Sequence, residues 1–185
     1  MGQEKALLTF LGEALVERIA RRVKPAADEL IINTNQPELF RFLGIPLVPD
    51  QIPGKGPLGG LFTALTVAHS DLVAAIACDM PFANSSLICT ERDWLIAGGW
   101  DVVIPNSNEG LEPLHAVYRK ATCLPAIRRA LAENRLRLVS WLEDVRVRVV
   151  NLDEIAAIDP AGRTFTNVNT LEELRQAELL ESKHN

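Results

Sequence analysis

The fold is decided by Leu72-Val-Ala-Ala-Ile-Ala-Cys-Asp79-Met-Pro81. An unbroken apolar run of this kind predicts a strand buried on both faces, in the middle of a parallel sheet. Pro81 cannot donate to a strand ladder and therefore ends the strand. Asp79 is thus expected at the carboxyl end of a central strand, where open α/β sheets bind their ligands. A carboxylate there is suited to hold a hard cation, which in turn would hold phosphates.

Helix and strand patterns alternate on both sides of this stretch. Residues 13–24 predict an amphipathic helix with Arg18, Arg21 and Arg22 on its polar face, and Thr170 with Glu173 forms a capping box for the last helix. Further strands are predicted at 29–33, 45–49, 101–105, 113–118 and 146–152, and further helices at 37–43, 61–68, 85–97, 124–134 and 139–143. The alternation predicts an α/β fold with a Rossmann-like, mostly parallel sheet and helices on both faces, in one domain over residues 1–185.

Bulk composition narrows the class of protein. The chain has 185 residues, 48% of them apolar, and a net charge of −5, which argues against nonspecific nucleic-acid or membrane-surface binding but not against a nucleotide. There is no apolar run long enough to span a bilayer and no signal peptide pattern, so a cytoplasmic protein is expected. Cys78, Cys89 and Cys123 lack metal-ligand spacing, which favours a reducing compartment and disfavours a zinc site.

A glycine-rich segment precedes the central strand. Gly54-Lys-Gly-Pro-Leu-Gly59 matches the dinucleotide fingerprint G-x-G-x-x-G. That interpretation is disfavoured, because Asp50-Gln-Ile-Pro separates the glycines from the preceding strand and Pro57 removes a backbone donor. The segment fits better as a loop that precedes a helix and approaches the base or ribose of a nucleotide. Asp50 and Asp79 both follow strands and are expected to face one ligand. Asp50 taken by itself is more simply interpreted as the cap of a helix or turn.

The chain resembles the molybdenum cofactor guanylyltransferases, because it carries six motifs of that family in the same order. That family belongs to the nucleotide-diphospho-sugar-transferase-like nucleotidyltransferases. Each motif is weak alone, and the six together cover nearly the whole chain. They are Met1-Gly-Gln-Glu-Lys5-Ala-Leu-Leu, Ile31-Ile-Asn33-Thr-Asn35, Val48-Pro-Asp50, Gly56-Pro-Leu-Gly-Gly60, Cys78-Asp79-Met-Pro-Phe82 and Phe165-Thr-Asn167-Val-Asn169-Thr-Leu-Glu-Glu-Leu174.

The resemblance implies a role for each matching residue. Lys5 matches the lysine that contacts the GTP phosphates, and Asp79 matches the aspartate that holds magnesium. Lys5 and Asp79 are therefore the expected catalytic residues. The other implied substrate-binding positions are Asn33 and Asp50 for the nucleotide, Gly56, Gly59 and Gly60 beside the guanine and ribose, and Asn167 and Asn169 on the pterin side.

The implied reaction joins GMP to molybdopterin or its molybdenum form and releases pyrophosphate. The terminal phosphate of the pterin would attack the α-phosphorus of GTP in line, with Mg²⁺ and Lys5 offsetting the charge that develops. The implied substrates are GTP and the pterin cofactor. Molybdoenzymes or other cofactor-biosynthesis proteins are further implied partners. Neither nucleic acid nor a membrane is implied.

Two departures from the family pattern stand out. The family opens with a buried strand and a loop of the form L-A-G-G-x-x-x-R-M-G, and this chain begins at the final Met-Gly of that loop, so the first strand and most of the phosphate loop are absent. Either the start was assigned to an internal methionine, or this is a shortened form with impaired nucleotide binding. Glu112-Pro113 stands where the family more often has a histidine before the proline, which puts a pterin contact there in doubt.

Two other functions remain as alternatives. A cytidylyltransferase for the same cofactor is the nearest enzyme, although Gly56-Pro-Leu-Gly-Gly60 and Asn167-Val-Asn-Thr170 favour the guanylyl branch. A non-catalytic module that keeps the pterin-side surface is an alternative of a different class, and the missing phosphate loop is the feature that favours it.

Overall fold

The computed structural model describes residues 5–182 as alternating helices and strands. The strands are β1 (Thr9–Phe10), β2 (Glu13–Ala14), β3 (Ile32–Asn33), β4 (Leu47–Val48), β5 (Leu72–Ile76), β6 (Val102–Ser107), β7 (Gly110–Leu111), β8 (His115–Arg119) and β9 (Val147–Val150). The α-helices are α1 (Leu15–Val23), α2 (Gly56–Val67), α3 (Ser85–Gly98), α4 (Lys120–Ala132), α5 (Leu152–Ile158) and α6 (Leu171–Ser182). No helix within this range is long and apolar enough to cross a membrane.

The main sheet has five strands. Its path runs β5-β8-β6-β7, and β9 pairs with β6. β8 is antiparallel to both β5 and β6, whereas β9 is parallel to β6, so β5, β6 and β9 share one direction. A separate pair, β3 with β4, is parallel, and β1 with β2 forms a small antiparallel ribbon.

Helices cover both faces of the main sheet, which confirms the predicted layered α/β fold. Successive strand residues point to opposite faces. Val103 and Val117 accordingly pack into one cluster with residues of α1, α3, α5 and α6, whereas Val102 and Tyr118 pack into another with α2 and α4. These four side chains are at most 2% exposed, so the core lies on both sides of β6 and β8.

The stretch that decides the fold occupies a different place from the predicted one. β5 lies at the edge of its sheet and pairs with β8 alone among the described residues, and that partner is antiparallel. Ala74 in its middle is exposed, while Ala75 is buried. The prediction of a strand buried on both faces in the middle of a parallel sheet was therefore wrong for β5. Asp79 nevertheless follows the carboxyl end of the strand, as predicted.

The glycine-rich segment also differs from its prediction. Gly56-Pro-Leu-Gly-Gly60 is the first part of helix α2, not a loop before a helix that starts at Leu61. Gly56 takes φ +59°, a left-handed conformation that glycine reaches without strain, and Pro57 is tolerated because the first turn of a helix has no backbone partner for its N–H. Residues 49–55 separate this helix from β4, which is not the strand-to-helix turn of a dinucleotide fingerprint.

Candidate active site

Asp79 stands at the carboxyl end of β5 in a half-buried position. Burial raises the pKa of its carboxyl above the ordinary value, and the positive charge of Lys5 opposes part of that rise. The backbone of the same residue is tied down, since the carbonyl oxygen of Asp79 accepts a hydrogen bond from Val168 N–H at 2.9 Å. The negative charge of this half-buried carboxylate is only partly compensated by Lys5, so Asp79 is a suitable ligand for a further positive charge.

Lys5 reaches the same end of the sheet from the start of the chain. Its Nζ donates to Oδ1 of Asn169 at 3.0 Å. Asn169 is positioned in turn by Glu173, whose Oε2 accepts from the backbone N–H groups of Asn169 and Thr170. Glu173 N–H donates to Thr170 Oγ1, which confirms the predicted capping box of α6. The start of the chain and the N-terminus of its last helix thus meet beside Asp79.

A second group of predicted residues gathers at β3 and β4. Asn35 and Asp50 bind each other twice, with Nδ2 of Asn35 donating to Oδ2 of Asp50 at 2.8 Å and the backbone N–H of Asp50 donating to Oδ1 of Asn35 at 2.9 Å. Nδ2 of Asn33 donates to the carbonyl oxygen of Val48 at 3.0 Å. This bond leaves Oδ1 of Asn33 directed toward Gly60, where a Cβ, if glycine carried one, would lie 2.9 Å from it.

The glycines of α2 let the helix approach its neighbours closely. A Cβ on Gly60 would also lie 3.8 Å from Oδ1 of Asp50. A Cβ on Gly59 would lie 2.9 Å from the Cβ of Lys55 and 3.2 Å from the carbonyl oxygen of Ile52, so only glycine fits there without a shift. The N-terminal turn of α2 therefore forms one wall of a polar recess with Asn33 and Asp50.

The predicted residues fall into two groups that share one end of the fold. Asn33 and Gly60 line the same cavity as Cys78, which directly precedes Asp79. The cavity that Asn33 and Gly60 line therefore reaches the residue directly before Asp79. Asn167 is half-buried in the segment between α5 and α6, one residue before the Val168 that binds Asp79, and within the described residues its side chain joins neither group by a hydrogen bond.

Sequence reasoning missed two arginines that support this site. It placed Arg18 and Arg22 on the polar face of the first helix, but Arg18 is 5% exposed. Nε of Arg18 donates to the carbonyl oxygen of Pro81, and Nε of Arg22 donates to that of Ala83, both at 3.0 Å. Both arginines therefore fix the loop that follows Asp79. The burial could not be read from α1 alone, because its partner lies more than sixty positions away in the chain.

A buried acid and histidine lie under the same loop. Glu91 and His115 are both fully buried, with 3.6 Å between Oε1 of Glu91 and Nδ1 of His115. Nε2 of His115 accepts a hydrogen bond from the backbone N–H of Asn84 at 3.2 Å, which ties the histidine to the loop after Asp79. Burial raises the pKa of the Glu91 carboxyl, and His115 opposes part of that rise.

Glu91→Gln is expected to change how stability depends on pH. Because the folded-state pKa of Glu91 lies above its ordinary value of 4.5, its stabilising contribution is complete below that pH and is lost as pH rises through the folded-state pKa. Glutamine keeps the shape and does not titrate, so the free energy of unfolding should fall less between pH 4.5 and neutrality than in the parent. Urea unfolding at several pH values measures this, with the exposed Glu38→Gln as control. Equal pH slopes in the parent and Glu91→Gln would contradict the expectation.

Glu112, which stands where the family more often has a histidine before the proline, is buried in this structure. It is 8% exposed and its Oε1 accepts from Ser107 Oγ at 2.6 Å. Burial raises the pKa of Glu112, and the negative charge of Asp79 adds to the rise. Glu112 is thus held by the β6–β7 hairpin, near enough to Asp79 for their charges to interact.

The donor set suits magnesium better than zinc. Among residues 5–182, no group of three or more His, Cys, Asp or Glu side chains is arranged to hold a metal ion by itself. Magnesium is commonly bound through one or two carboxylates together with substrate phosphates, so the single half-buried carboxylate of Asp79 fits it. Zinc in proteins takes three or four nitrogen, sulfur or oxygen side chains, and the described part of the chain brings no such set together.

Comparison with known proteins identifies the family of the chain. Residues 1–148 match the family model of the MobA-like NTP transferase domain. The chain is 37% identical to a probable molybdenum cofactor guanylyltransferase of Pelotomaculum thermopropionicum, over 97% of this chain and 86% of that protein. It is 34% identical to the molybdenum cofactor guanylyltransferase of Desulfosudis oleivorans, over 96% of this chain and 87% of that protein.

Solved structures share the fold. Molybdopterin-guanine dinucleotide biosynthesis protein A from Archaeoglobus fulgidus has a TM-score of 0.84 at 24% identity, covering 98% of this chain and 92% of its own. The 2-C-methyl-D-erythritol 4-phosphate cytidylyltransferase of Thermus thermophilus has a TM-score of 0.68 at 18% identity, covering 96% and 94%. The likeness to structures shows a nucleotidyltransferase fold, and the sequence matches go further: the chain belongs to the MobA-like NTP transferase family, as a relative of its molybdenum cofactor guanylyltransferases.

Proposed function

We propose that this protein transfers GMP from GTP to the terminal phosphate of molybdopterin or its molybdenum form, releasing pyrophosphate and forming the guanine dinucleotide cofactor. The proposal rests on two groups of residues: Lys5, Asp79 and Asn169 interact at the carboxyl end of β5, and Asn33, Asp50 and Gly60 form a polar recess. In this proposal the charged group takes the phosphates and the polar recess takes the base and ribose. Relatives named as guanylyltransferases support the choice of substrate.

Lys5 and Asp79 have complementary roles in this proposal. The Nζ of Lys5, which binds Asn169 here, would exchange that bond for a phosphate oxygen of GTP. Asp79 would hold Mg²⁺, whose charge neutralises phosphate oxygens as they become more negative in the transition state. The pterin phosphate is itself the nucleophile and needs no covalent enzyme intermediate.

The recess supplies selectivity for the base. Backbone groups of the first turn of α2, from Gly56 to Gly60, lie against the nucleotide, and Asn33 and Asp50 add side-chain hydrogen bonds. Hydrogen-bonding groups that fit one base are left unpaired by another, which is how such a site discriminates. Asn167 and Asn169, which flank the Val168 that binds the backbone of Asp79, face the pterin in this proposal.

The proposed reaction takes place in the cytoplasm. Cys78, Cys89 and Cys123 are odd in number and lack metal-ligand spacing, which supports a reducing compartment. Molybdoenzymes and other cofactor-biosynthesis proteins are the proposed recipients of the product.

Nucleotide binding tests the choice of GTP. Calorimetric titration with GTP, CTP and ATP, each with Mg²⁺, should show the tightest binding for GTP. Equal affinity for CTP would move the protein to cytidylyl transfer. Binding of molybdopterin together with no magnesium-dependent binding of any of the three nucleotides would favour a non-catalytic module.

Gly60→Ala is expected to weaken GTP binding without lowering thermal stability. The new Cβ, 2.9 Å from Oδ1 of Asn33, would turn that amide and break its bond to Val48, so GTP affinity should fall by roughly tenfold, about what one hydrogen bond contributes. Alanine favours a helix over glycine, so thermal stability should not fall in parallel. Affinity equal to that of the parent would exclude a role for this contact.

A further inference from the structure

His115 contacts two segments of the candidate site at once. It is fully buried at the start of β8, opposite the last residue of β5. Its Nε2 accepts a hydrogen bond from the backbone N–H of Asn84, at the end of the loop that follows Asp79. Its ring packs edge-on against Phe165, with 5.4 Å between the ring centroids. One buried side chain therefore joins the loop after Asp79 to the segment that leads to Asn167.

Both of these segments are anchored close to the histidine. Asn84 is the N-cap of α3, and its side chain accepts from two backbone N–H groups in the first turn of that helix. The loop after Asp79 is thus fixed at its far end by the helix and by His115. The segment after Phe165 is fastened to the near end of the same loop, since Val168 N–H donates to the carbonyl oxygen of Asp79 at 2.9 Å.

Glu91 restrains the other nitrogen of the ring. Its Oε1 lies 3.6 Å from Nδ1 of His115, a distance longer than a hydrogen bond between two side chains that are both excluded from water. Among residues 5–182, neither carboxyl oxygen of Glu91 nor Nδ1 of His115 has a hydrogen-bond partner. Buried polar groups are costly away from any partner, so the ring is favoured with Nδ1 toward Glu91 and Nε2 toward Asn84.

The polar recess that is proposed to bind the base depends on other contacts. Asn33 donates to the backbone of Val48 and Asn35 binds Asp50, so these side chains are positioned by β3, β4 and the residues that follow them. The side-chain contacts of His115 go instead to α3, to the loop before it and to the segment between α5 and α6. A change at the histidine should therefore displace the loop after β5 and leave the recess intact.

We propose that Glu91 and His115 are positioning residues for nucleotidyl transfer. Through the histidine ring they fix the loop after Asp79 relative to residues 165–169. The inference rests on the proposed function, in which Asp79 holds Mg²⁺ and residues of the second segment face the pterin. Both positioning residues are fully buried and act through the backbone of the loop. A displacement of about 1 Å between reacting groups lowers a rate by roughly a hundredfold, so a small shift of the loop is enough.

Two substitutions of His115 separate its role from a general loss of stability. His115→Phe keeps an aromatic ring against Phe165 and loses both ring nitrogens. His115→Gln retains an acceptor for the backbone N–H of Asn84 in its amide oxygen. Val102→Ala is the matched control for a weakened core, because Val102 is fully buried at the start of β6 and packs with the cluster that contains α2 and α4.

The turnover number of His115→Phe should fall by on the order of tenfold or more, while its calorimetric affinity for GTP stays within about threefold of the parent. His115→Gln should recover most of the lost turnover. Because both residues act through one ring, Glu91→Leu should lower turnover in the parent and add little in His115→Phe. Turnover by His115→Phe equal to that of Val102→Ala would overturn the proposal.

Amide hydrogen exchange tests the same proposal without any measurement of activity. In His115→Phe the amides of Asn84 and Val168 should exchange on the order of tenfold faster than in the parent, relative to the amide of Ile127 in α4. In Val102→Ala they should not. Unchanged protection of both amides in His115→Phe would overturn the proposal. A parent protein that transfers no GMP would count against the proposed function alone, and the exchange result would then decide the positioning role.

Discussion

Asp79→Asn is expected to lower the rate of nucleotidyl transfer by on the order of a hundredfold or more. The substitution keeps the size of the side chain and removes the charge that would hold Mg²⁺ against the phosphates. Asp79 is half-buried at the end of β5, and burial already disfavours its negative charge, so a neutral amide should not destabilise the fold. The turnover number at saturating Mg²⁺ and GTP, measured with the melting temperature, checks both parts.

Asp71→Asn is the matched control, because Asp71 is an exposed aspartate just before the opposite end of the same strand. Its transfer rate should equal that of the parent. Turnover by Asp79→Asn within a few-fold of the parent would mean that another group holds the metal.

Lys5→Met should also lower transfer strongly, by roughly tenfold to a hundredfold, because one donor to the developing negative charge is lost. Methionine keeps much of the length of the side chain without its charge. The bond from Lys5 to Asn169 is exposed, so its loss should cost little stability. The effect should fall on the turnover number more than on KM if Lys5 acts on the transition state.

Lys24→Met provides the comparison for a lysine outside the site. Lys24 is exposed and follows directly after the last residue of α1. A decrease of the same size in Lys24→Met would indicate a general effect of charge, and an unchanged rate in Lys5→Met would remove Lys5 from the mechanism.

The layered fold could be predicted because its signals are local. Alternating helix and strand periodicity predicted the order of elements, and Pro81 predicted where the strand before Asp79 must end. The capping box of Thr170 and Glu173 is likewise a local pattern, and both of its hydrogen bonds are present. Boundaries were less accurate, since α2 starts at Gly56 because glycine and proline are both acceptable in a first turn.

Features that depend on distant partners could not be predicted. Apolar residues in β5 indicate a buried strand but do not reveal that one of its edges faces a groove. Arg18 has the helical position of a surface residue, and its burial depends on distant partners, among them the carbonyl of Pro81 and the carboxylate of Glu181. Glu91 and His115 likewise come together only because α3 packs against β8.

The candidate site could be predicted from the sequence in part. Its residues were named from motifs, and the structure brings Lys5 to Asn169 and Asn35 to Asp50 through hydrogen bonds. Contact of Gly60 with Asn33 follows from where the helix starts, which the sequence did not predict. The roles of these residues toward GTP and the pterin remain predictions that the substitutions above test.

Formation of the dinucleotide is the most direct measurement of guanylyl transfer. The protein is incubated with molybdopterin, Mg²⁺ and an equimolar mixture of GTP and CTP, and products are identified by mass spectrometry while pyrophosphate is quantified. The expected result is molybdopterin guanine dinucleotide as the dominant product, with one pyrophosphate released for each dinucleotide and loss of both in Asp79→Asn. A cytosine dinucleotide formed at an equal or higher rate, or pyrophosphate released with no dinucleotide, would contradict guanylyl transfer.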